Sequence, residues 1–155
     1  MSKLSTPRRR KTAPVPILVI EDNADQWLII RACLTQSFPE VAPVWMNNTA
    51  QAIAYLETHA VDPVKFPRLV LADLYLPRRE DGITILEFIK NHTFYRKPPV
   101  IVLSVSPSDE DIAIAYSFSA ASYIVKPGNY HDWLNCFYSF RRYWWEIVKL
   151  PLRAQ

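Results

Sequence analysis

The sequence predicts an α/β domain built on a doubly wound, five-stranded parallel sheet with helices on both faces. Three observations carry that expectation. Short runs such as Ile17-Leu18-Val19-Ile20, Leu69-Val70-Leu71-Ala72 and Val100-Ile101-Val102-Leu103 are apolar throughout, so both faces of each strand must be covered. Between such runs lie segments whose apolar residues recur every three to four positions, as on one side of a helix. The two patterns alternate along the chain, and right-handed crossovers then place helices on both sides of one parallel sheet.

The chain has 155 residues, and half of them are hydrophobic, enough for one domain with a substantial core. Its net charge of +3 is unevenly placed, because Lys3, Arg8, Arg9, Arg10 and Lys11 fall in the first sixteen residues without an acid among them. Setting those five aside leaves thirteen bases against fifteen acids. The body is therefore mildly acidic and lacks the basic stripe that nucleic-acid binding needs. Residues 1–16 read as a disordered basic arm, 17–150 as the domain and 151–155 as a short tail. No apolar run reaches the length of a membrane span, and the N-terminus lacks a signal-peptide core. Cys33 and Cys136 are too few and too distant for a disulfide framework, so reduced thiols in a cytoplasmic protein are expected.

The first strand, Ile17 to Ile20, stops at Glu21-Asp22-Asn23. A helix follows from Ala24 to about Ser37, with Trp27, Leu28, Ile30 and Leu34 at helical spacing and Pro39 closing it. Pro43 to Met46 is a second strand, and Asn47-Asn48-Thr49 offers capping oxygens to a helix carrying Ala52, Ile53, Tyr55 and Leu56. The third strand meets Asp73 and runs on to Pro77. A loop through Gly82 leads into a helix with Ile85, Leu86, Phe88 and Ile89 inward. The fourth strand ends at Ser104, and Ser108 and Asp111 have the spacing of a capping box. Tyr123-Ile124-Val125 is the fifth strand, ended by Lys126-Pro127. From Tyr130 to Val148, Trp133, Phe137, Phe140 and Trp144 form a core stripe, while Tyr138, Tyr143 and Trp145 fall off it.

Taken singly, Asp73 could equally be a helix cap or a solvated loop acid. The other strand ends decide. Glu21 and Asp22 close strand one, Asp73 strand three, Ser104 strand four and Lys126 strand five, so all gather at the carboxyl edge, where open α/β sheets keep their chemistry. Three crowded carboxylates repel one another unless protonated or relieved by a hard cation, and Mg2+ suits oxygen donors while leaving positions for phosphoryl oxygens.

With this set, the chain resembles the receiver domains of two-component response regulators over essentially residues 15–150. The resemblance implies the flavodoxin-like strand order 2-1-3-4-5. It also implies that Asp73 is the phosphoacceptor, that Glu21, Asp22, Asp73 and the Tyr75 backbone carbonyl hold Mg2+, and that Lys126 binds the phosphoryl group. Ser104 becomes the switch hydroxyl, Tyr123 the switch aromatic, and Lys126-Pro127 a cis peptide. The stretches Asp73 to Gly82 and Tyr143 to Pro151 are similar to stand-alone receivers that partner phytochrome-type histidine kinases. That likeness implies a sensor histidine kinase as partner and a homodimer through the fourth helix, fifth strand and fifth helix.

Some residues depart from the pattern. The loop after Asp73 is one residue longer than usual, and Tyr75 is bulkier than the polar residues common there, so an altered phosphate lifetime is expected. Thr49 and Ser119 stand where relatives often carry glycine, and a positive φ at either would cost about 1 kcal/mol or more. The competing readings are a phosphorylation-independent receiver-like adaptor, which would ordinarily lack the acidic pair or the lysine, and an aspartyl-phosphate phosphatase, which needs an acid where Tyr75 stands. A dinucleotide or flavin site lacks its glycine-rich loop, since Gly82 and Gly128 are the only glycines. His59, His92 and His131 have no metal-ligand spacing and read as surface residues.

Overall fold

The covered strands align into one parallel sheet in the order β2-β1-β3-β4-β5, as the computed structural model shows for the described residues, 13–92 and 98–149. The strands are β1 (Val15–Ile20), β2 (Val41–Met46), β3 (Val70–Ala72), β4 (Val100–Ser104) and β5 (Ser122–Val125), and the helices are α1 (Ala24–Ser37), α2 (Thr49–Thr58), α3 (Arg79–Asn91), α4 (Asp109–Ser117) and α5 (Tyr130–Arg141). The register runs Ile20 beside Ala72 beside Val102, which puts the ends of β1 and β3 level. The sheet divides two cores. One holds Ile17, Val19, Leu71, Ile101 and Leu103 against α1 and α5; the other holds Leu18, Ile20, Val70 and Val102 against α2, α3 and α4.

Several boundaries move from the sequence expectation. β1 begins at Val15, inside the stretch read as arm, because Val15 and Pro16 pair with Val41 and Ala42 of the edge strand β2. Proline is tolerated near a strand start and on an edge, which also explains Pro43 in β2. Leu28 is 56 % exposed, since it points away from the face shared by Trp27, Ile30 and Leu34. α3 starts at Arg79, three residues before Gly82, with the Asp81 carboxylate accepting from the Arg78 amide at 3.2 Å. α5 ends at Arg141 and continues as a π-helical segment, Arg142–Ile147. Its stripe is buried through Trp144, whereas Tyr138, Tyr143 and Trp145 are exposed. The cis peptide lies at Leu76–Pro77, not at Lys126–Pro127; both are proline bonds, where the cis form costs little. Most of the basic arm (residues 1–12), together with Leu150 and the tail, lies outside the described residues. Among the described residues, no helix is long and apolar enough to cross a membrane.

The two glycine-replacing residues part ways. Thr49 opens α2 and donates its hydroxyl to the Asp81 carbonyl at 2.9 Å, with no positive φ. Ser119 has φ 66° and stops α4 in the left-handed region: its amide bonds the Tyr116 carbonyl, and the Ala120 amide bonds that of Ala115. A side chain is strained there. Ser119→Gly is therefore expected to raise stability by about 0.5–1 kcal/mol in urea denaturation, with Ser119→Ala giving no such gain.

Candidate functional site

The site forms because four strands end at one edge and each ending is polar. Glu21 and Asp22 follow β1 directly, Asp73 follows β3, Ser104 closes β4, and Lys126 follows β5. Backbone bonds hold these ends together: the Asp73 amide donates to the Ile20 carbonyl at 3.0 Å, and the Lys126 amide to the Ser104 carbonyl at 2.7 Å. Glu21 is further anchored through its own carbonyl, which accepts from Trp45 Nε1 at 2.8 Å. Trp45 in turn stacks on Trp27 with ring centroids 5.5 Å apart.

Lys126 is the electrostatic centre. Its Nζ donates to Glu21 Oε2 and Asp73 Oδ2, each at 2.7 Å, and also to Gln26 Oε1. The Lys126 and Glu21 side chains are each 2 % exposed and that of Asp73 is 9 %, so these charges are held away from water and need one another. Burial raises Glu21 to about 7, against the opposing pull of Lys126 and with a contribution from the Asp73 charge. The other Asp73 oxygen, Oδ1, accepts from the Tyr75 amide at 3.1 Å.

Glu21, Asp22 and Asp73 each offer a carboxylate oxygen within 4.8 Å of the others, with Asp22 exposed at the mouth. Three hard oxygen donors, one of them raised in pKa by burial, fit a divalent cation, whose charge would favour the ionised forms.

Ser104 is fully buried, and its Oγ accepts from the Ser106 amide at 3.2 Å. Tyr123 lies half-buried on β5 and donates its hydroxyl to the Ser106 carbonyl at 2.7 Å. Glu21, Asp22, Asp73, Ser104 and Lys126 thus gather at this edge, with Tyr75 in the loop two residues past Asp73 and Tyr123 within β5. Two others join them that the sequence reading missed. Gln26 sits in the first turn of α1 and shares the lysine, but nothing in its pattern separates it from an ordinary surface residue. Asp111 looked like half of a capping box. Its amide does bond Ser108 Oγ at 3.2 Å, yet its carboxylate turns to Tyr75, Arg79 and Ser106 instead of back to Ser108.

The chain is similar to known proteins. A family model described as the response regulator receiver domain matches residues 17–136. The probable methanogenesis regulatory protein FilR2 of Methanothrix harundinacea is 37 % identical over 132 residues, spanning 84 % of this chain and 84 % of that one. Among solved structures, the phosphorylated cyanobacterial phytochrome response regulator RcpA is similar with a TM-score of 0.78 at 31 % identity, covering 90 % of this chain and 99 % of RcpA. The Mn2+-bound form of response regulator Rcp1 gives a TM-score of 0.76 at 28 % identity, with 89 % and 99 % covered. The sheet order, the edge chemistry and these matches agree: the chain belongs to the response regulator receiver domain family of two-component signalling.

Proposed function

We propose that the protein is a single-domain response regulator that takes a phosphoryl group from a partner's phosphohistidine onto Asp73. The observation that carries this reading is the Lys126 ammonium bonded at 2.7 Å to both Asp73 and Glu21 beside the three-carboxylate cluster. In the reaction, an Asp73 oxygen bonds to phosphorus as the phosphorus–nitrogen bond breaks, and the electron pair stays on the leaving imidazole. Glu21, Asp22, Asp73 and the Tyr75 carbonyl would hold Mg2+, which when bound would supply charge neutralisation at the phosphoryl oxygens. Lys126 neutralises them from the β5 side, which requires it to exchange partners at Asp73. Small phosphoryl donors serve by the same chemistry, and attack of water on phosphorus releases inorganic phosphate and restores the carboxylate.

The Ser104 hydroxyl, at the end of β4, is placed to bond the new phosphoryl oxygens. Its movement would withdraw the acceptor of the Ser106 amide and so shift the loop whose carbonyl holds Tyr123. Phosphorylation then biases two arrangements of the β4–α4 loop and the Tyr123 ring. RcpA is named as a phytochrome response regulator, which supports a phytochrome-type histidine kinase as the donor, in the cytoplasm. Val105, Tyr116 and Val125 are exposed on the β4–α4–β5 side and support a homodimer through α4, β5 and α5.

Incubation with acetyl phosphate and Mg2+ is expected to add one phosphoryl mass to the intact protein. Asp73→Asn removes the nucleophile and is expected to abolish the gain. Modification that persists in Asp73→Asn, or that ignores chelation of the metal, would contradict the mechanism.

A further inference from the structure

We propose that Gln26 is a positioning residue for phosphoryl capture: from α1, its side-chain carbonyl holds the Lys126 ammonium at the sheet edge without adding a charge there. The inference rests on the reading of Asp73 as the phosphoacceptor and names the third group that aims the lysine at it.

An ammonium has three hydrogens to donate and no means of accepting. Those of Lys126 go to Glu21 Oε2, Asp73 Oδ2 and Gln26 Oε1, so its direction is fully specified. Two of these partners are acids at strand ends. The third is a neutral amide that reaches the site from a helix, where Gln26 lies half-buried beside the buried Trp27. A closed ring of bonds sets its place. Glu21 Oε1 accepts from the Asn23 amide at 3.2 Å, and Asn23 Oδ1, the N-cap of α1, accepts from the Gln26 amide at 3.0 Å. Gln26 Oε1 then accepts from Lys126, which returns to the second oxygen of Glu21. The cap that starts α1 is therefore bonded into the same circuit as the lysine.

Phosphoryl transfer takes one of the three partners away. When an Asp73 oxygen bonds to phosphorus, Lys126 must turn one hydrogen from Asp73 to a phosphoryl oxygen. Glu21 and Gln26 keep the other two, so the ammonium pivots in place instead of wandering on its flexible four-carbon stem. Neutrality is the reason for an amide at this position. A third carboxylate around the lysine would repel the incoming phosphoryl anion. An apolar side chain would leave one ammonium hydrogen without its acceptor, at a lysine whose side chain is 2 % exposed.

The test measures how fast acetyl phosphate adds phosphoryl mass to the intact protein at saturating Mg2+, with the melting temperature of each variant measured alongside. In that reaction an Asp73 oxygen bonds to phosphorus as the bond to the acetyl oxygen breaks, and acetate leaves with the electron pair. Gln26→Met keeps the length of the side chain and removes the acceptor. Gln26→Glu keeps an acceptor and adds a charge. Each is expected to slow capture by about tenfold, the scale of one lost or opposed charge-assisted interaction. Gln26→Glu is expected to melt with the wild type, because it still pairs with the lysine. A purely structural role predicts that glutamate rescues capture along with stability. Capture at the wild-type rate in either variant, or an equal fall of the melting temperature in both, overturns the proposal. Gln26→Glu keeps the test decisive even if Gln26→Met fails to fold. A wild-type chain that takes up no phosphoryl mass overturns the receiver chemistry itself, a result distinct from slowed capture.

Discussion

Replacing Lys126 with alanine is expected to lower stability by about 3 kcal/mol as well as to abolish phosphoryl capture. The size follows from burial. With both carboxylates below a tenth exposed and facing one cation, removing that cation leaves two buried acids without the lysine's counter-charge. The melting temperature is expected to fall by roughly 6–12 °C for a domain of this size. A saturating divalent cation should return part of the loss, since it supplies positive charge to the same acids. A melting temperature unchanged in Lys126→Ala would show that the ammonium contributes nothing to holding the edge together.

Gly82→Ala is expected to destabilise by more than about 3 kcal/mol in urea denaturation. Helix propensity alone argues the reverse, because alanine within a helix is worth about 1 kcal/mol over glycine. Packing overrides it. A Cβ on Gly82 would lie 1.9 Å from the Leu74 carbonyl oxygen and 2.5 Å from its carbon, and a backbone cannot swing aside as a side chain can. Relief requires α3 to move off the segment between Asp73 and Tyr75, so the damage extends to Asp73. A stability equal to wild type would mean that α3 does not press on this loop.

The fold and the edge chemistry were legible in the sequence because buried parallel strands leave an unmistakable record: apolar runs that end abruptly in a polar residue. Glu21, Asp73, Ser104 and Lys126 each announced themselves by that contrast. Asp111 and Gln26 did not. A carboxylate near the start of α4 has the same local pattern whether it caps a helix or turns inward to a tyrosine 36 positions earlier, and that choice is made by tertiary packing. Gly82 read as a loop residue for a related reason: glycine suggests a turn, whereas here it marks close approach of a helix to a strand end. The start of β1 at Val15 was hidden because a proline beside a basic arm signals the end of structure more strongly than two residues of edge pairing signal its beginning.

The Trp27–Trp45 stack has a use beyond packing. Trp45 bonds the main-chain carbonyl of Glu21, the residue whose side chain faces the lysine, and its indole is stacked 5.5 Å from a second indole. An excited indole is sensitive to the bond at its nitrogen and to the ring beside it. A divalent cation titrated into the acidic end of β1 is therefore expected to change the fluorescence of this pair, with no added label to disturb the charges there.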